Sequence, residues 1–451
     1  MSIALVVLGA GMGTRMNSDI PKVLHPIAGA PMLVHAINAG MGLDPEKIIV
    51  VAGHGADRVK AAARAYDDSI EIVLQTEQLG TAHAVDQARS ALAGFDGDVI
   101  VLYGYTPFIR PETLDKMIAA RTSNDVVVLG FDAADPGRYG RLVMQGNALD
   151  RIVEFKDATE AERAITLCNS GVICANSITL FDLISAVGND NASGEYYLTD
   201  IIAIARARGL AATAVTCSEA ETMGVNSRTQ LAEGEAAFQA RARAEALENG
   251  VTLAAPDTVY FAYDTVIGRD TLIEPNVVFG PGVTIESGAR IRAFSHLEGC
   301  HVSQGAIVGP FARLRPGAEL AENVHIGNFV EVKNAVFEAG AKANHLSYIG
   351  DAHVGEATNI GAGTITCNYD GVMKHKTEIG ARVFVGSNTM LIAPVKIGDN
   401  AMTATSAVIT KNVPEGALAI SRVPQDNKPG LAIKMFEMLK AKKAKRDKGT
   451  K

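Results

Sequence analysis

At 451 residues the chain exceeds the size at which a single hydrophobic core keeps growing, so two or three domains are expected. Its 47% hydrophobic and 20% charged residues describe a globular protein with a sizeable core, and the net charge of −8 excludes a general nucleic-acid binder. The five cysteines are odd in number and fit no close metal-ligand spacing, which predicts buried thiols in a reducing cytoplasm and not a disulfide framework.

The opening apolar run, Ile3 to Leu8, has no basic stretch before it and no cleavage site, and is far too short to cross a bilayer. It predicts a cytoplasmic protein without membrane partners. Residues 1–227 alternate apolar, β-branched runs ("IALVVLG", "KIIVVAG", "IEIVLQ", "DVIVLYG", "DVVVLGF") with amphipathic stretches such as "PMLVHAINAGMGL" and "DRVKAAARAY". Runs that are apolar on both faces suit buried parallel strands, and the alternation predicts a doubly wound α/β domain. Residues 228–249, rich in Ala, Glu and Arg and halted by Gly250, predict one long helical linker.

From residue 250 to 425 the pattern changes. Aliphatic or aromatic residues recur every sixth position at Ile273, Phe279, Ile285, Ile291 and Leu297, at Leu314, Leu320, Ile326 and Val332, and at Ile379, Val385, Leu391 and Ile397. A period of six fits neither helix nor ordinary strand. Each hexamer makes one short flat face and three faces close a coil, so a parallel β-helix is predicted. Breaks near Gly340–His345 and Cys367–Lys376 are expected to be loops thrown out of the coil. The basic tail 426–451, ending "KAKKAKRDKGTK", reads as a solvated, frayed terminus.

The first strand runs into "LGAGMGTRMNSDIPKVL". Gly9, Gly11 and Gly13 let the backbone approach a polyphosphate with its N–H groups turned inward, and Arg15 and Lys22 add positive charge. No Gly-Lys-Ser/Thr follows, and the third glycine comes one residue early for a Rossmann fingerprint. With Thr14-Arg15 and Pro21-Lys22 at this spacing, the loop resembles that of the sugar-1-phosphate nucleotidylyltransferases. Adding the hexapeptides and "NIGAGTITCNYDG", the chain is similar over essentially its whole length to the bacterial bifunctional N-acetylglucosamine-1-phosphate uridylyltransferase/glucosamine-1-phosphate acetyltransferase family. The resemblance implies a left-handed β-helix, a homotrimer with acetyl-transfer sites between subunits, and two steps toward UDP-N-acetylglucosamine. Acetyl-CoA acetylates glucosamine 1-phosphate, then UTP donates UMP with release of pyrophosphate.

For uridylyl transfer the resemblance implies UTP and UDP-sugar contacts at Leu8, Ala10, Gly11, Gly13, Arg15, Lys22, Gln75, Gly80 and Thr81, with Gly140, Glu154 and Asn169 reading the sugar. Arg15 and Lys22 would be catalytic. A sugar phosphate oxygen is already anionic, so alignment and charge neutralisation do the work without a general base. The family holds Mg²⁺ with an aspartate after "LYG" and an asparagine matching Asn226. Here the aspartate's place is taken by Tyr105, a phenol that is ordinarily neutral at pH 7, whereas Mg²⁺ prefers hard carboxylate and water oxygens. Two readings stand: a crippled nucleotidyl site, or a metal held by phosphates, water and Asn226 with activity retained. Gly9, alanine in the family, loosens the loop slightly.

For acetyl transfer the matching motifs are "FARLRPG", "NFVEVKN" and "NHLSYIGD". They imply His345 as the base that accepts the ammonium proton of glucosamine. Arg315, Lys333, Tyr348, Asn359 and Lys374 would bind the sugar phosphate. Asn368, Tyr369, Ser387, Thr405 and Arg422 would bind acetyl-CoA, although Thr405-Ser406 stands where the family has Ala-Gly. Two alternatives remain open: a monofunctional acetyltransferase whose first domain only binds nucleotide sugar, and a scaffold with neither activity.

Overall fold

The structure is a computed structural model describing residues 2–448. The chain forms two compact units, Met1–Ser287 with His296–Gly299, and Gly288–Ser295 with Cys300–Lys451.

The first unit is built on strands β1 (Ile3–Gly9), β2 (Lys47–Ala52), β3 (Glu71–Leu74), β4 (Asp98–Tyr103), β5 (Val126–Asp132), β6 (Arg141–Gln145), β7 (Ala148–Val153), β8 (Leu167–Asn176) and β9 (Ala212–Cys217). The sheet order is β9-β5-β8-β4-β1-β2-β3. Every residue of β1 is buried, which explains its unbroken apolar run. Ala4, Val6 and Leu8 face one core with helical residues such as Val85 and Ile201, while Ile3, Leu5 and Val7 face the other with Leu33, Val59 and Leu114. Helices therefore cover both faces. One feature differs from an all-parallel sheet: β8 runs antiparallel to both β4 and β5. The chain reaches it from β5 through the hairpin β6–β7 and not through a helical crossover, so it arrives in the reverse direction.

A long helix, Arg228–Glu248, starts at Ser227, whose side chain accepts from the Gln230 N–H at 3.2 Å. Of this helix only Gly234, Phe238 and Gln239 are buried. Gln239 exchanges two hydrogen bonds of 2.8 Å with the Phe261 backbone.

In the second unit, short strands stack in parallel on three faces. One face runs through Ile307–Val308, His325–Asn328, Lys342–His345, Asn359–Ile360, Phe384–Val385 and Met402–Thr403. The next holds Arg313–Leu314, Glu331–Phe337, Tyr348–Val354, Ile365–Cys367, Met390–Ile392 and Val408–Ile409. The third pairs Ala318, Ala335, Ala352, Thr377 and Val395 in turn. All the six-spaced residues named above from Leu314 to Ile397 are buried inside the coil. The expected loop near Gly340–His345 is corrected: Lys342–His345 is a strand of the first face, with Ala343 in the buried stack. Cys367 stays in the second face, paired with Ile392, and residues 368–376 do leave the coil, closed by a Tyr369–Lys374 bridge. The tail departs from the frayed terminus expected. Leu431–Lys448 is a helix, exposed as far as its side chains are described, and residues 449–451 lie outside the described residues. Among the described residues no helix is long and apolar enough to cross a membrane.

Candidate functional site

The sequence-predicted residues gather in clusters within each unit. In the first unit the glycine loop leaves β1 at the edge where the carboxyl ends of the parallel strands open. Gly13 has φ +62, and a Cβ there would meet the Lys22 Cβ at 2.6 Å, so only glycine lets the loop fold back on the lysine stem. Leu8 and Ala10 are buried, and their carbonyls accept from the N–H groups of Gly104 (2.9 Å) and His54 (3.3 Å). Gln75 is buried and donates to the Gly80 carbonyl at 3.2 Å, and Thr81 Oγ1 accepts from the Leu198 N–H at 2.9 Å. A cavity of about 290 Å³ beside them is lined by Met12, Gly53, His54, Leu74, Gln75 and Gln78. Gly140, Glu154 and Asn169 also meet: the Asn169 N–H donates to the Gly140 carbonyl at 2.9 Å, and Glu154 Oε1 lies 3.4 Å from where a Gly140 Cβ would be.

At the strand mouth stand Tyr105, Lys22 and Asn226. The Val225 N–H donates to the Tyr105 carbonyl at 2.9 Å, which brings Asn226 to the tyrosine. Lys22 Nζ donates to Asn226 Oδ1 at 2.9 Å and lies 3.4 Å from the centre of the Tyr105 ring. Burial, with the nearby Arg15 charge, pushes the Lys22 ammonium down to about 8. Burial pushes the Tyr105 phenol up to about 12, so it is neutral at pH 7. Asn226 was expected to ligate Mg²⁺. Its oxygen is engaged by an ammonium, its neighbour is a neutral phenol, and a divalent ion there would meet Lys22 and Arg15. Among the described residues no three His, Cys, Asp or Glu side chains converge on a metal position. This donor set does not fit Mg²⁺.

In the second unit Lys333, Tyr348, Asn368 and Lys374 come together. Asn368 Nδ2 is 3.5 Å from Tyr348 Oη, and Lys333 beside Lys374 holds the Lys374 ammonium below the usual lysine range. Gly350 makes room for the Tyr348 ring, since a Cβ there would meet Tyr348 Oη at 2.3 Å. Behind them lies a residue the sequence reading quoted but did not assign, Asp351, only 6% exposed. Its two oxygens accept from Asn334 Nδ2 (2.6 Å) and Asn368 Nδ2. Burial works against the charged form, but the two amides, with Lys333 and Lys374, hold the Asp351 carboxyl below its usual range. Arg315 Nη1 pairs with Glu331 Oε1 at 2.9 Å, and Glu331 lies beside Tyr348 in the sheet. His345 is exposed at the end of the neighbouring face, the face that also carries Asn359. Tyr369 sits on the extruded loop, 60% exposed. Ser387, Thr405 and Arg422 meet further along one corner: the Ser387 carbonyl accepts from the Ser406 N–H at 2.8 Å, and the Thr405 carbonyl accepts from Arg422 Nη1 at 2.9 Å.

Comparison with known proteins bears on both units. Residues 5–170 match the MobA-like NTP transferase domain, and residues 264–299 and 376–411 match the bacterial transferase hexapeptide. The chain is 70% identical over 449 residues to bifunctional protein GlmU of Ruegeria sp. (strain TM1040), covering 100% of both chains. The chain belongs to the GlmU family. The same protein of Cereibacter sphaeroides (strain ATCC 17025) is 67% identical over 449 residues, covering 100% of this chain and 99% of its own. GlmU proteins are the bifunctional transferases that the motifs resemble, with nucleotidyltransferase and acetyltransferase activities. The hexapeptide match identifies the coil as a left-handed parallel β-helix.

Proposed function

We propose that the second unit transfers acetyl from acetyl-CoA to glucosamine 1-phosphate, and that the first unit is a uridylyltransferase site in which UMP transfer to N-acetylglucosamine 1-phosphate is impaired. The observation that carries the acetyl assignment is the Lys333–Tyr348–Asn368–Lys374 cluster around buried Asp351, two cations with polar donors suited to a phosphorylated sugar. In this reading His345 takes a proton from the glucosamine ammonium. The freed amine attacks the thioester carbonyl, the C–N bond forms and the C–S bond breaks. The second amine proton goes to the departing thiolate and the first passes from His345 to solvent. Arg315 and Asn359 would bind the sugar phosphate. Tyr369, Ser387, Thr405 and Arg422 would hold acetyl-CoA, with Asn368 at the boundary. The protein is proposed to be a cytoplasmic homotrimer, with domains at residues 1–227 and 250–425.

The uridylyl half of the proposal rests on Tyr105. UTP and the UDP-sugar would lie against Leu8, Ala10, Gly11, Gly13, Gln75, Gly80 and Thr81, with Gly140, Glu154 and Asn169 at the sugar. Arg15 and Lys22 remain to neutralise phosphates, but the carboxylate that would hold a divalent ion is absent. The monofunctional alternative is the limiting case of this reading. An assay reporting CoA release and pyrophosphate release separately, on the native chain and Tyr105→Asp, tests both halves. Native pyrophosphate release is expected to rise on the order of 10²–10³-fold with Tyr105→Asp, the scale of one lost transition-state contact, with CoA release unchanged. Equal pyrophosphate release by the two proteins would overturn the impairment.

A further inference from the structure

Lys22 is placed as a cation site would be. Its stem packs on Gly13, its ammonium donates to Asn226 Oδ1 at 2.9 Å, and the ammonium sits 3.4 Å over the face of the Tyr105 ring. Tyr105 is itself held edge-on by Tyr103, with ring centres 5.3 Å apart, and its carbonyl fixes Val225 beside Asn226. The lysine is therefore enclosed by an amide oxygen and an aromatic face, both neutral, and among the described residues no carboxylate pairs with it. The charges that act on these groups are Arg15, a cation felt by both Lys22 and Tyr105, and Glu154, which is felt by Tyr105 and receives the Thr199 hydroxyl at 3.3 Å.

We infer that this pocket carries its counter-cation in the protein: the Lys22 ammonium, caged by Asn226 and Tyr105, takes the place of a divalent ion, so that a nucleoside triphosphate binds without one. An aromatic face stabilises an ammonium through its quadrupole but gives a hard divalent ion no oxygen. A nucleotide polyphosphate entering over the glycine loop meets Lys22, Arg15 and backbone N–H groups. A divalent ion entering with it would have to displace Lys22 from Asn226 and then sit beside two cations. The inference rests on the reading of this unit as a nucleotide site, and adds that its affinity is metal-independent.

The test is calorimetric titration of the full chain with UTP, in EDTA and in millimolar Mg²⁺. The native protein is expected to bind UTP with affinities that agree within about threefold in the two buffers. Tyr105→Asp is expected to bind UTP at least about tenfold more tightly in Mg²⁺ than in EDTA. Lys22→Met should weaken binding in EDTA by about tenfold or more, and Lys22→Arg should recover part of that loss, with circular dichroism confirming that both fold. A native protein whose UTP affinity rises tenfold or more with Mg²⁺ overturns the inference and leaves the nucleotide site standing. No UTP binding in either buffer overturns the nucleotide reading itself.

Discussion

Asn334 Nδ2 donates to Asp351 Oδ1 at 2.6 Å, while the other oxygen of the same carboxylate accepts from Asn368 Nδ2. One buried anion thus fixes two amides contributed by different coils. Asn368 in turn reaches Tyr348, so the carboxylate aligns the groups proposed to bind substrate without being required to touch it.

Asp351→Asn is expected to reduce kcat/KM for acetyl transfer by roughly 10–100-fold, the scale of one charge-assisted hydrogen bond of about 1.5–3 kcal/mol. An amide in its place offers one acceptor where two donors need one each, so Asn368 or Asn334 loses its partner. Steady-state thiol release against glucosamine 1-phosphate checks this, with a thermal melt to show that the coil remains folded. Unchanged kinetics would mean that Asp351 serves the fold alone.

His345→Ala is expected to lower acetyl-transfer turnover by about 10²–10⁴-fold, the range for loss of a general base. His345 is exposed and its imidazole has room to meet a substrate, while its backbone is pinned by carbonyl bonds to Ser347 Oγ (2.8 Å) and the Gly363 N–H (3.2 Å). The substitution should therefore leave the melting temperature within a degree or two. Near-normal thiol release would remove His345 from the mechanism.

Much of this architecture is legible in the residues, and the failures have physical causes. The runs that became β1, β2, β4 and β5 are apolar on both faces because helices cover both sides of the sheet, and such runs are read directly. The direction of β8 is not, because it depends on the hairpin β6–β7, a tertiary choice. The coil is visible wherever large residues keep the six-residue step. It disappears at Ala343, where a methyl group fills the stack, and at Phe337 and Val354, each buried five residues after the preceding stack member. The two site pairs that matter most were hidden by distance or by role. Lys22 and Asn226 are 204 residues apart, and Asp351 stood in a quoted motif with nothing to say that its partner was Asn368.

Glu154→Gln is expected to stabilise the first unit at neutral pH. Burial raises the Glu154 carboxyl above the usual range; the Thr199 hydroxyl opposes this, and Asp200 and Asp157 add to it. A folded value above the unfolded one means that folding favours the protonated acid. The stability it supports is present below the ordinary carboxyl value near 4.3 and is lost as pH rises through the folded value. Glutamine stays neutral throughout. The melting temperature at pH 7 should rise above that of the native chain, with little change at pH 4. An equal shift at both pH values would place the effect in packing.

The last prediction concerns the corner between the first two faces of the coil. Phe294 and Phe311 stack with ring centres 4.9 Å apart, and Phe329 follows 5.3 Å from Phe311. These three and Leu346 all have positive φ, between 50 and 60, and each remains 44–64% exposed. Later coils of the same corner place Gly363, Asn388 and Ser406 there, small or polar residues suited to a tight turn. A bulky side chain in this conformation costs about 1–2 kcal/mol, and leaving it in water adds to the penalty. Four such residues in succession make sense where another surface covers them, and the proposed homotrimer supplies one. The double substitution Phe311→Asn, Phe329→Asn relieves the backbone and removes the apolar face together. It should leave the coil at least as stable while shifting sedimentation velocity profiles at micromolar concentration from trimer toward monomer. If the double variant sediments as the native trimer does, with the same concentration dependence, the ladder is not a contact between subunits.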